Sequence, residues 1–350
     1  FGYAFSNRLD RDALLEAAAA AAASIPADGP AGIVDLRVAR PAVVHVAARP
    51  ADAIPPADKV SWLREVDDAA RGYARDVRQV VASYGDSRQR VLVATSDGRW
   101  VEETRPRIRL FVQVVAERDG VIQTGVHGPA ALAGAEYIEA NPPAAIALVA
   151  ARRAVTMLDS IPAPAGETAV VMAPGTGGVL FHEAVGHPLE ADIVDKEASV
   201  YRGRIGERLA SPLVSGDDDA TEPNAWGSFS FDDEGTPAQR TVLFEDGVLV
   251  GLLSDRLRAA KEGVPSSGNG RRQSYAHPPI PRMTNTSIRN GNATAADVLA
   301  STPRGIYVTA LAGGQTNPAT GDFVFGVSEG FLVEDGVVTR PVRGANLIGR

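Results

Sequence analysis

The chain has 350 residues, of which 45% are apolar and 22% charged, with a formal net charge of −8 and no cysteine. Length and composition predict a globular protein of about two domains with a sizeable core. The acidic balance and the lack of a Lys/Arg-rich run exclude nucleic acid as an expected partner, and no apolar run reaches the roughly 18 residues that a membrane-spanning helix needs.

The first half of the sequence predicts helices followed by an antiparallel meander. An alanine-rich helix covers 9–24, a Pro/Gly-rich connection covers 24–44, and a second helix, with apolar residues at helical spacing, covers 56–84. The alternating, valine-rich residues 88–126 predict about three strands, with turns at "SDG" and "RDG". A helix with a wide apolar face over 142–158 and a Pro-rich joint over 160–167 end this half.

The second half is richer in short strands and glycine turns. "TAVVMAP" predicts a buried strand, and "GTGG" leads from it into a helix that carries two histidines. Farther on, "EDG" at 245–247 and at 334–336 lies between alternating apolar residues, which predicts two hairpins. The fold class is therefore α+β, with an N-terminal domain over 1–162 and a sheet-rich C-terminal domain over 163–350 that carries the histidine helix.

The stretch "HEAVGH" is the strongest candidate for chemistry. In the zinc-protease motif HExxH, histidines four residues apart share one face of a helix, but here His182 and His187 are five apart. Five residues rotate by roughly 500°, so an ideal helix would leave the two imidazoles about 140° apart. A π-type extra residue or an abrupt helix end near Gly186 and Pro188 would bring them together, with Glu183 beside the metal as a general base. The alternative is a helix with one histidine facing inward and one outward.

A loop dense in hydrogen-bond donors, residues 267–286, could hold a peptide or a carboxylate. An ordered loop that satisfies its own backbone is the alternative interpretation. His277 could also be a third zinc ligand, although a lone histidine is more often a packed or surface residue. The candidate substrate-binding residues of this loop are Arg271, Arg272, Tyr275, His277 and Asn285.

Three further segments have structural interpretations. "APGTGG" (173–178) lacks the ending of a phosphate-binding loop and predicts a tight strand-to-helix turn. The acidic segments "GDDDATE" (216–222) and "FDDEGT" (231–236) lack the spacing of a calcium loop. We expect both of them to be solvated loops.

Taken together, these segments resemble the TldD/PmbA family, called modulators of DNA gyrase and assigned as metalloproteases. The resemblance covers nearly all of the chain and rests on "GVLFHEAVGHPLEAD", "ASPLVSGDD", "FDDEGTPAQRTVLFEDGVLVGLLSD", "GNGRRQSYAHPPIPRMTNT" and "GGQTNPATGDFVFGVSEGFLVEDGVVTRPVRGANLIG", with "ATSDG" and "RPRIRLFVQV" upstream. The chain is similar to the TldD side of the family, because it carries the histidine motif that the partner subunit, TldE or PmbA, lacks.

The resemblance implies a Zn²⁺ site with His182 and His187 as ligands and Glu183 as the general base. It implies hydrolysis of unfolded peptides, held in extended form in a closed cavity, by a heterodimer with a TldE/PmbA-like subunit; a homodimer is the alternative. The family's third ligand is a cysteine after the segment matched by "GANLIG", so we expect it after Arg350. Because the chain starts at Phe1 instead of Met and stops at "GANLIGR" directly after a strand-like segment, we also expect further sequence at both ends.

Two functions from different classes follow. The first is a zinc metallopeptidase that acts on unfolded or extended peptides, with a cytoplasmic location expected. The alternative is a non-catalytic subunit of a TldD/TldE-type complex that binds peptide or regulates the complex without cleaving it.

Overall fold

The computed structural model describes residues 2–25, 35–41 and 45–350. Most of the predicted 24–44 connection therefore lies outside the described residues. The fold is α+β, as predicted, and its elements form an N-terminal and a C-terminal group. The division of the chain after residue 162 stays a prediction.

The N-terminal group combines a long antiparallel sheet with helices. The central strand β3 pairs with all the others, and only β1 runs parallel to it. The predicted "SDG" and "RDG" turns join β2 to β3 and β3 to β4. The elements are α1 (Arg11–Ala23), β1 (Arg37–Val38), α2 (Pro56–Tyr73), β2 (Val77–Ala94), β3 (Arg99–Arg118), β4 (Val121–His127), β5 (Ala130–Ala131), α3 (Glu136–Ala140) and α4 (Pro143–Leu158).

The predicted helix over 56–84 is wrong in its last part, because α2 ends at Tyr73 and residues 77–84 begin β2. Val77, Val80, Val81 and Tyr84 follow the i, i+3, i+4, i+7 spacing of an amphipathic helix. The same segment is rich in β-branched residues, and it pairs with residues 110–116 of β3. Pairing with a distant strand therefore overrode the helical spacing.

The core of this group lies between β3 and the helices α2 and α4. Every second residue of β3 faces inward, as a strand that is covered on one side requires, and Ile108, Leu110, Val112 and Val114 are fully buried. Each such side chain contributes about 1.5–3 kcal/mol to the free energy of unfolding through burial. The same strand contacts the C-terminal group, since Arg105 of β3 bonds to Asp233 and to the carbonyl oxygen of Phe231.

The C-terminal group contains two larger sheets, with strand orders β10-β9-β8-β13 and β6-β16-β15-β14-β7; β17 also pairs with β15. Strand β7 lies at the end of one order and β13 at the end of the other. The strands are β6 (Ile161–Pro162), β7 (Ala169–Met172), β8 (Gly216–Asp219), β9 (Arg240–Glu245), β10 (Val248–Leu249), β11 (Gly270–Arg271), β12 (Ile280–Pro281), β13 (Thr286–Ile288), β14 (Arg304–Thr316), β15 (Phe323–Glu334), β16 (Val337–Arg343) and β17 (Asn346–Gly349). The helices are α5 (Thr176–Phe181), α6 (Ala191–Asp195), α7 (Arg256–Glu262) and α8 (Ala295–Ala300).

Both predicted "EDG" hairpins are confirmed. They join β9 to β10 and β15 to β16 through two-residue turns. In each turn the aspartate and the glycine have positive φ, 48° and 79° at Asp246 and Gly247 and 52° and 77° at Asp335 and Gly336. These angles match the turn type that follows the right-handed twist of the strands. No helix in the described ranges is both long enough and apolar enough to cross a membrane.

Candidate metal centre

The "APGTGG" turn connects strand β7 to the helix that carries the histidines. Gly175 has a φ of +81°, a conformation that favours glycine, and α5 begins at the next residue. The Thr176 hydroxyl donates a hydrogen bond of 2.9 Å to the carbonyl oxygen of Thr309 in β14. The predicted strand-to-helix turn is confirmed, and it fixes the start of α5 to the large sheet.

The helix changes its period where the motif begins. Residues His182–Gly186 form a π-helical turn, in which the His187 main-chain N–H donates to the carbonyl oxygen of His182, five residues back. A 3₁₀ turn over His187–Leu189, which contains Pro188, ends the helix. The two imidazole centroids lie 4.8 Å apart at an angle of 86°. The extra residue in the turn therefore offsets the i, i+5 spacing and puts both histidines on one face.

Gly186 leaves the space in which this turn packs. A Cβ atom at this position would lie 2.0 Å from Sδ of Met283, whose side chain is buried in a cluster with Phe181 and Leu189. Only a residue without a side chain lets the π-helical turn approach Met283 so closely. The glycine thus couples the motif to the loop that follows β12.

Glu183 completes a compact group of potential ligands. One ligand atom each from His182, Glu183 and His187 lie within 4.8 Å of one another, and this is the one cluster of its kind in the described part of the chain. Oε2 of Glu183 is 3.9 Å from Nε2 of His187. The carboxylate can therefore reach the space between the imidazoles.

Glu190, which the sequence analysis missed, contacts the Nδ1 side of the His187 ring. Its side chain is 2% exposed; Oε1 lies 3.2 Å from Nδ1 of His187, and Oε2 accepts a hydrogen bond of 2.7 Å from Nη1 of Arg282. A carboxylate on one imidazole nitrogen orients the other nitrogen toward a metal. The available signal was the acidic residue three positions after His187, between the apolar residues Leu189 and Ala191.

The two imidazoles differ in their electrostatic surroundings. Burial, together with the neighbouring His187, lowers the pKa of His182, so its neutral form, which binds metals, is favoured. The hydrogen bond with Glu190 raises the pKa of His187, and burial offsets part of this effect. A metal at His187 would therefore compete with a proton for the ring.

Two cavities meet at the histidines. A cleft of about 920 Å³ is bounded by β7, α5 and β13 and reaches His182 and Glu183. A smaller cavity of about 450 Å³ is bounded by both imidazoles, Glu190 and the segment 271–283. His182 lines both cavities, so a ligand that crosses the cluster would contact both spaces.

The structure brings only part of the predicted substrate-binding set to these cavities. Arg271 and Arg272 line the smaller one. Tyr275 is 62% exposed, and the exposed His277 lies 2.8 Å from the Ser274 hydroxyl through Nδ1; both lie outside the two cavities and the ligand cluster.

Asn285 also lies outside the cavities, in a network of its own. Its side chain bonds to the Gly227 N–H, the Asp219 carbonyl and the Ser228 hydroxyl. All of these bonds join segments of the surrounding fold, so the side chain is used within the protein.

The expectation that the two acidic segments are solvated loops is wrong. Asp217, Asp218 and Asp232 are at most 3% exposed. Asp218 accepts hydrogen bonds from Thr284 (main chain and hydroxyl) and from the side chains of Thr286 and Asn269. A buried carboxylate is tolerated because it is hydrogen-bonded in this way. Asp218, together with Asp232, which accepts from the Gly270 N–H, thus holds the ends of the segment that forms the wall of the smaller cavity.

Comparison with known proteins identifies two matching family models. The model described as the PmbA/TldA metallopeptidase central domain matches residues 49–158. The model described as the PmbA/TldA metallopeptidase C-terminal domain matches residues 165–350. Together they match well over half of the chain, including the histidine motif and both cavities.

Curated relatives include two proteins named metalloprotease TldD homologue. The one from Haemophilus influenzae is 40% identical over 317 residues, which are 89% of this chain and 66% of the relative. The one from Buchnera aphidicola subsp. Acyrthosiphon pisum is 34% identical over 355 residues, 99% of this chain and 74% of the relative. The chain thus spans just under two thirds of the Haemophilus protein.

Solved structures share the fold. A proposed modulator of a DNA gyrase from Thermotoga maritima has a TM-score of 0.83 at 24% identity, with 98% of this chain and 77% of that chain covered. TldE from Thermococcus kodakarensis has a TM-score of 0.76 at 22% identity, with coverage of 97% and 75%.

Proposed function

The chain belongs to the PmbA/TldD metallopeptidase family, and we propose that it is a zinc-dependent peptidase that hydrolyses unfolded or extended peptides. The observation that carries the proposal is the π-helical turn, which puts the donor atoms of His182, Glu183 and His187 within 4.8 Å of one another. Such a distortion has a conformational cost, and π-turns often occur at functional sites for that reason.

The donor set fits zinc. Two imidazoles with a nearby carboxylate suit this borderline-soft ion, and His182 and His187 supply two of the three protein ligands that a catalytic zinc site usually has. His182 and His187 would hold the ion, and Glu190 would keep the His187 ring in the required orientation. When bound, zinc supplies Lewis-acid polarisation of the scissile carbonyl.

Glu183 has the role of general base. Its Oε2 is 3.9 Å from Nε2 of His187, so the carboxylate borders the space in which the attacking water and the scissile carbonyl would meet. Glu183 accepts a proton from that water at Oε2 and returns it to the nitrogen of the leaving amine. Both transfers need one carboxylate that reaches both sides of the bond.

The larger cleft suits an extended peptide. It is flanked by β7 and β13, each at the end of its strand order. A strand at a sheet edge presents main-chain N–H and C=O groups that can pair with an added strand. Pairing of this kind recognises the peptide backbone, which only an unfolded substrate exposes.

The partner proposed on the family resemblance is a TldE/PmbA-like subunit, with a homodimer as the alternative, in a cytoplasmic location. Co-purification with a tagged copy of this chain, followed by mass spectrometry and light scattering, tests the assembly. A second, related chain in a 1:1 complex supports the heterodimer, and a single chain at twice its mass supports the homodimer.

Zinc content and hydrolysis, measured together, test the function. We expect about one zinc per chain, its loss in His187→Ala and its retention in His277→Ala, a matched histidine outside the cluster. Glu183→Gln should keep zinc and lose hydrolysis of an unfolded peptide by a factor of about 10²–10⁴. If the protein binds peptide but contains no zinc and cleaves nothing, the non-catalytic subunit is the better account.

A further inference from the structure

The smaller cavity has an excess of positive charge. Its lining includes three guanidinium groups, those of Arg271, Arg272 and Arg282, and one carboxylate, that of Glu190. Arg282 and Glu190 bond to each other at 2.7 Å. Two guanidinium groups therefore remain at the cavity wall beside the imidazoles.

Neither of these two groups forms an ion pair within 4.0 Å with a carboxylate of the described residues, although the charges of Asp218, Asp233 and Glu190 act on Arg271 over a longer distance. Arg271 donates to the carbonyl oxygen of Met283. Arg272 donates to the carbonyl oxygen of His277 at 2.8 Å, and its guanidinium lies 5.2 Å from the centroid of the Tyr3 ring. Each keeps further N–H donors free, since a guanidinium has five of them.

Two carboxylates, those of Asp232 and Asp233, hold the main chain that carries the two arginines. The Asp232 carboxylate accepts a hydrogen bond from the Gly270 N–H at 3.0 Å, and the Asp233 carboxylate accepts one from the Arg272 N–H at 2.8 Å. Asp233 in turn bonds to Arg105 of β3 at 2.7 Å. Because the main chain is fixed in this way, only the side chains of the two arginines need to be ordered when a ligand binds.

The larger cleft has a different chemical character. Val179, Ile288 and Val298 lie in its wall, and they remain 45%, 44% and 41% exposed, respectively. The larger cleft thus offers apolar side chains, with its one arginine, Arg289, paired with Asp217, whereas the smaller cavity offers two guanidinium groups. A peptide that crosses the cluster at His182 would experience both environments in a fixed direction.

We propose that the smaller cavity is a carboxylate subsite, in which Arg271 and Arg272 bind a carboxylate of the peptide on one side of the scissile bond. A planar guanidinium fork matches a carboxylate and binds it through paired, charge-assisted hydrogen bonds. The carboxylate comes from the C-terminus of the peptide or from an acidic side chain. This inference rests on the proposed peptidase function, because it assigns one side of that substrate.

Binding to the inactive Glu183→Gln protein tests the subsite without dependence on turnover. Three fluorescent peptides share one apolar sequence: the first has a free C-terminal carboxylate, the second a C-terminal amide, and the third an amide plus one glutamate near the C-terminus. Anisotropy gives the Kd of each. We expect the peptide with a free carboxylate to bind at least tenfold more tightly than the plain amide, as loss of a charge-assisted pair implies.

The third peptide separates the two sources of the carboxylate. If the added glutamate restores affinity, an acidic side chain is accepted; if it does not, the C-terminus is the ligand. Arg272→Gln and Arg271→Gln, each in the Glu183→Gln background, should shrink the tenfold difference. Arg71→Gln, which alters an exposed pair on α2, should preserve it.

Equal Kd values for all three peptides would overturn the subsite, and so would an unchanged tenfold difference in a folded Arg272→Gln protein. Arg272 offers this second route because its bond to the His277 carbonyl lies at the exposed surface, whereas the bond from Arg271 to the Met283 carbonyl is partly buried. Hydrolysis of the same peptides by the unmodified protein is measured in parallel. Cleavage without carboxylate preference would reject the subsite alone, whereas carboxylate-dependent binding without cleavage would reject the peptidase function alone.

Discussion

Nδ1 of His187 lies 3.2 Å from Oε1 of Glu190, a carboxylate that is almost completely buried and also bonded to Arg282. The π-helical turn brings the two histidines together, and this contact determines which nitrogen of His187 faces Glu183. The orientation of the candidate metal centre therefore depends on a residue outside the HExxxH motif.

Replacement of Glu190 should weaken metal binding while both imidazoles remain. We expect Glu190→Gln to lower the affinity for zinc about 10–100-fold, because the ring of His187 loses its charged partner. Competition with a zinc indicator measures the affinity. Glu207→Gln, which changes an exposed pair with Arg204, is the matched control. Equal affinities in the two variants would show that Glu190 has no orienting role.

The glycine of the π-helical turn should not tolerate a side chain. Gly186→Ala should lower the free energy of unfolding by about 1–3 kcal/mol, because the added methyl group overlaps the buried Met283. Gly178→Ala is the control: nothing lies within 4 Å of its added Cβ, so helix propensity alone predicts a gain of about 0.5–1 kcal/mol. Urea unfolding measures both.

The overlap with Met283 has its own check. In the double variant Gly186→Ala/Met283→Ala, the combined loss should be smaller than the sum of the single losses, since the two changes share one space. Strict additivity would mean that the glycine is needed for another reason.

The buried ion pair between the N-terminal sheet and the cavity wall should be sensitive to truncation. Arg105 is 6% exposed in its side chain and bonds to Glu103 and Asp233. Arg105→Met should cost about 3–5 kcal/mol of unfolding free energy, because it leaves two largely buried carboxylates, those of Glu103 and Asp233, without their guanidinium partner. The main-chain N–H of Arg272 donates a hydrogen bond to Asp233, and its hydrogen exchange should also become faster.

The exposed pair of Arg78 and Glu117 provides the comparison. Arg78→Met should cost at most about 1 kcal/mol, since solvent screens surface pairs. If Arg105→Met lowers the free energy of unfolding no more than Arg78→Met does, the ion pair between Arg105 and Asp233 does not stabilise the cavity wall.

Stability at acidic pH should depend on Asp76. The hydrogen bonds from the Arg118 guanidinium, at 2.7 and 3.1 Å, lower the pKa of Asp76 below its usual 3.8. A lowered pKa in the folded state means that the stabilisation is fully present above the unfolded pKa and is lost as the pH falls through the folded value. Asp76→Asn should therefore reduce stability at pH 6 and make the loss between pH 4 and pH 2 shallower.

Urea unfolding across this pH range measures the effect, with Asp67→Asn, in an exposed pair with Arg71, as the control. If the free energy of unfolding falls equally between pH 4 and pH 2 in the Asp76 variant and in the unmodified protein, the protonation of this carboxylate is not linked to folding.

Much of the architecture could be predicted from local signals. The α+β class, the meander over β2–β4, helix α4 and both "EDG" hairpins are as predicted, because hydrophobic period and turn chemistry act over a few residues. The motif residues His182, Glu183 and His187 were also visible in the sequence, and a distortion near Gly186 was one of the two alternatives that the spacing left open.

The tertiary structure alone decided how the segments are used. Whether residues 77–84 were helix or strand depended on their pairing with β3, since their spacing fitted a helix. The buried Asp218 accepts a hydrogen bond from Thr284, 66 residues away in the sequence, and Glu190 accepts one from Arg282, 92 residues away. A periodic pattern reports only which face of a segment is apolar. Which buried charge meets which donor depends on contacts between distant segments, and those exist only once the chain has folded.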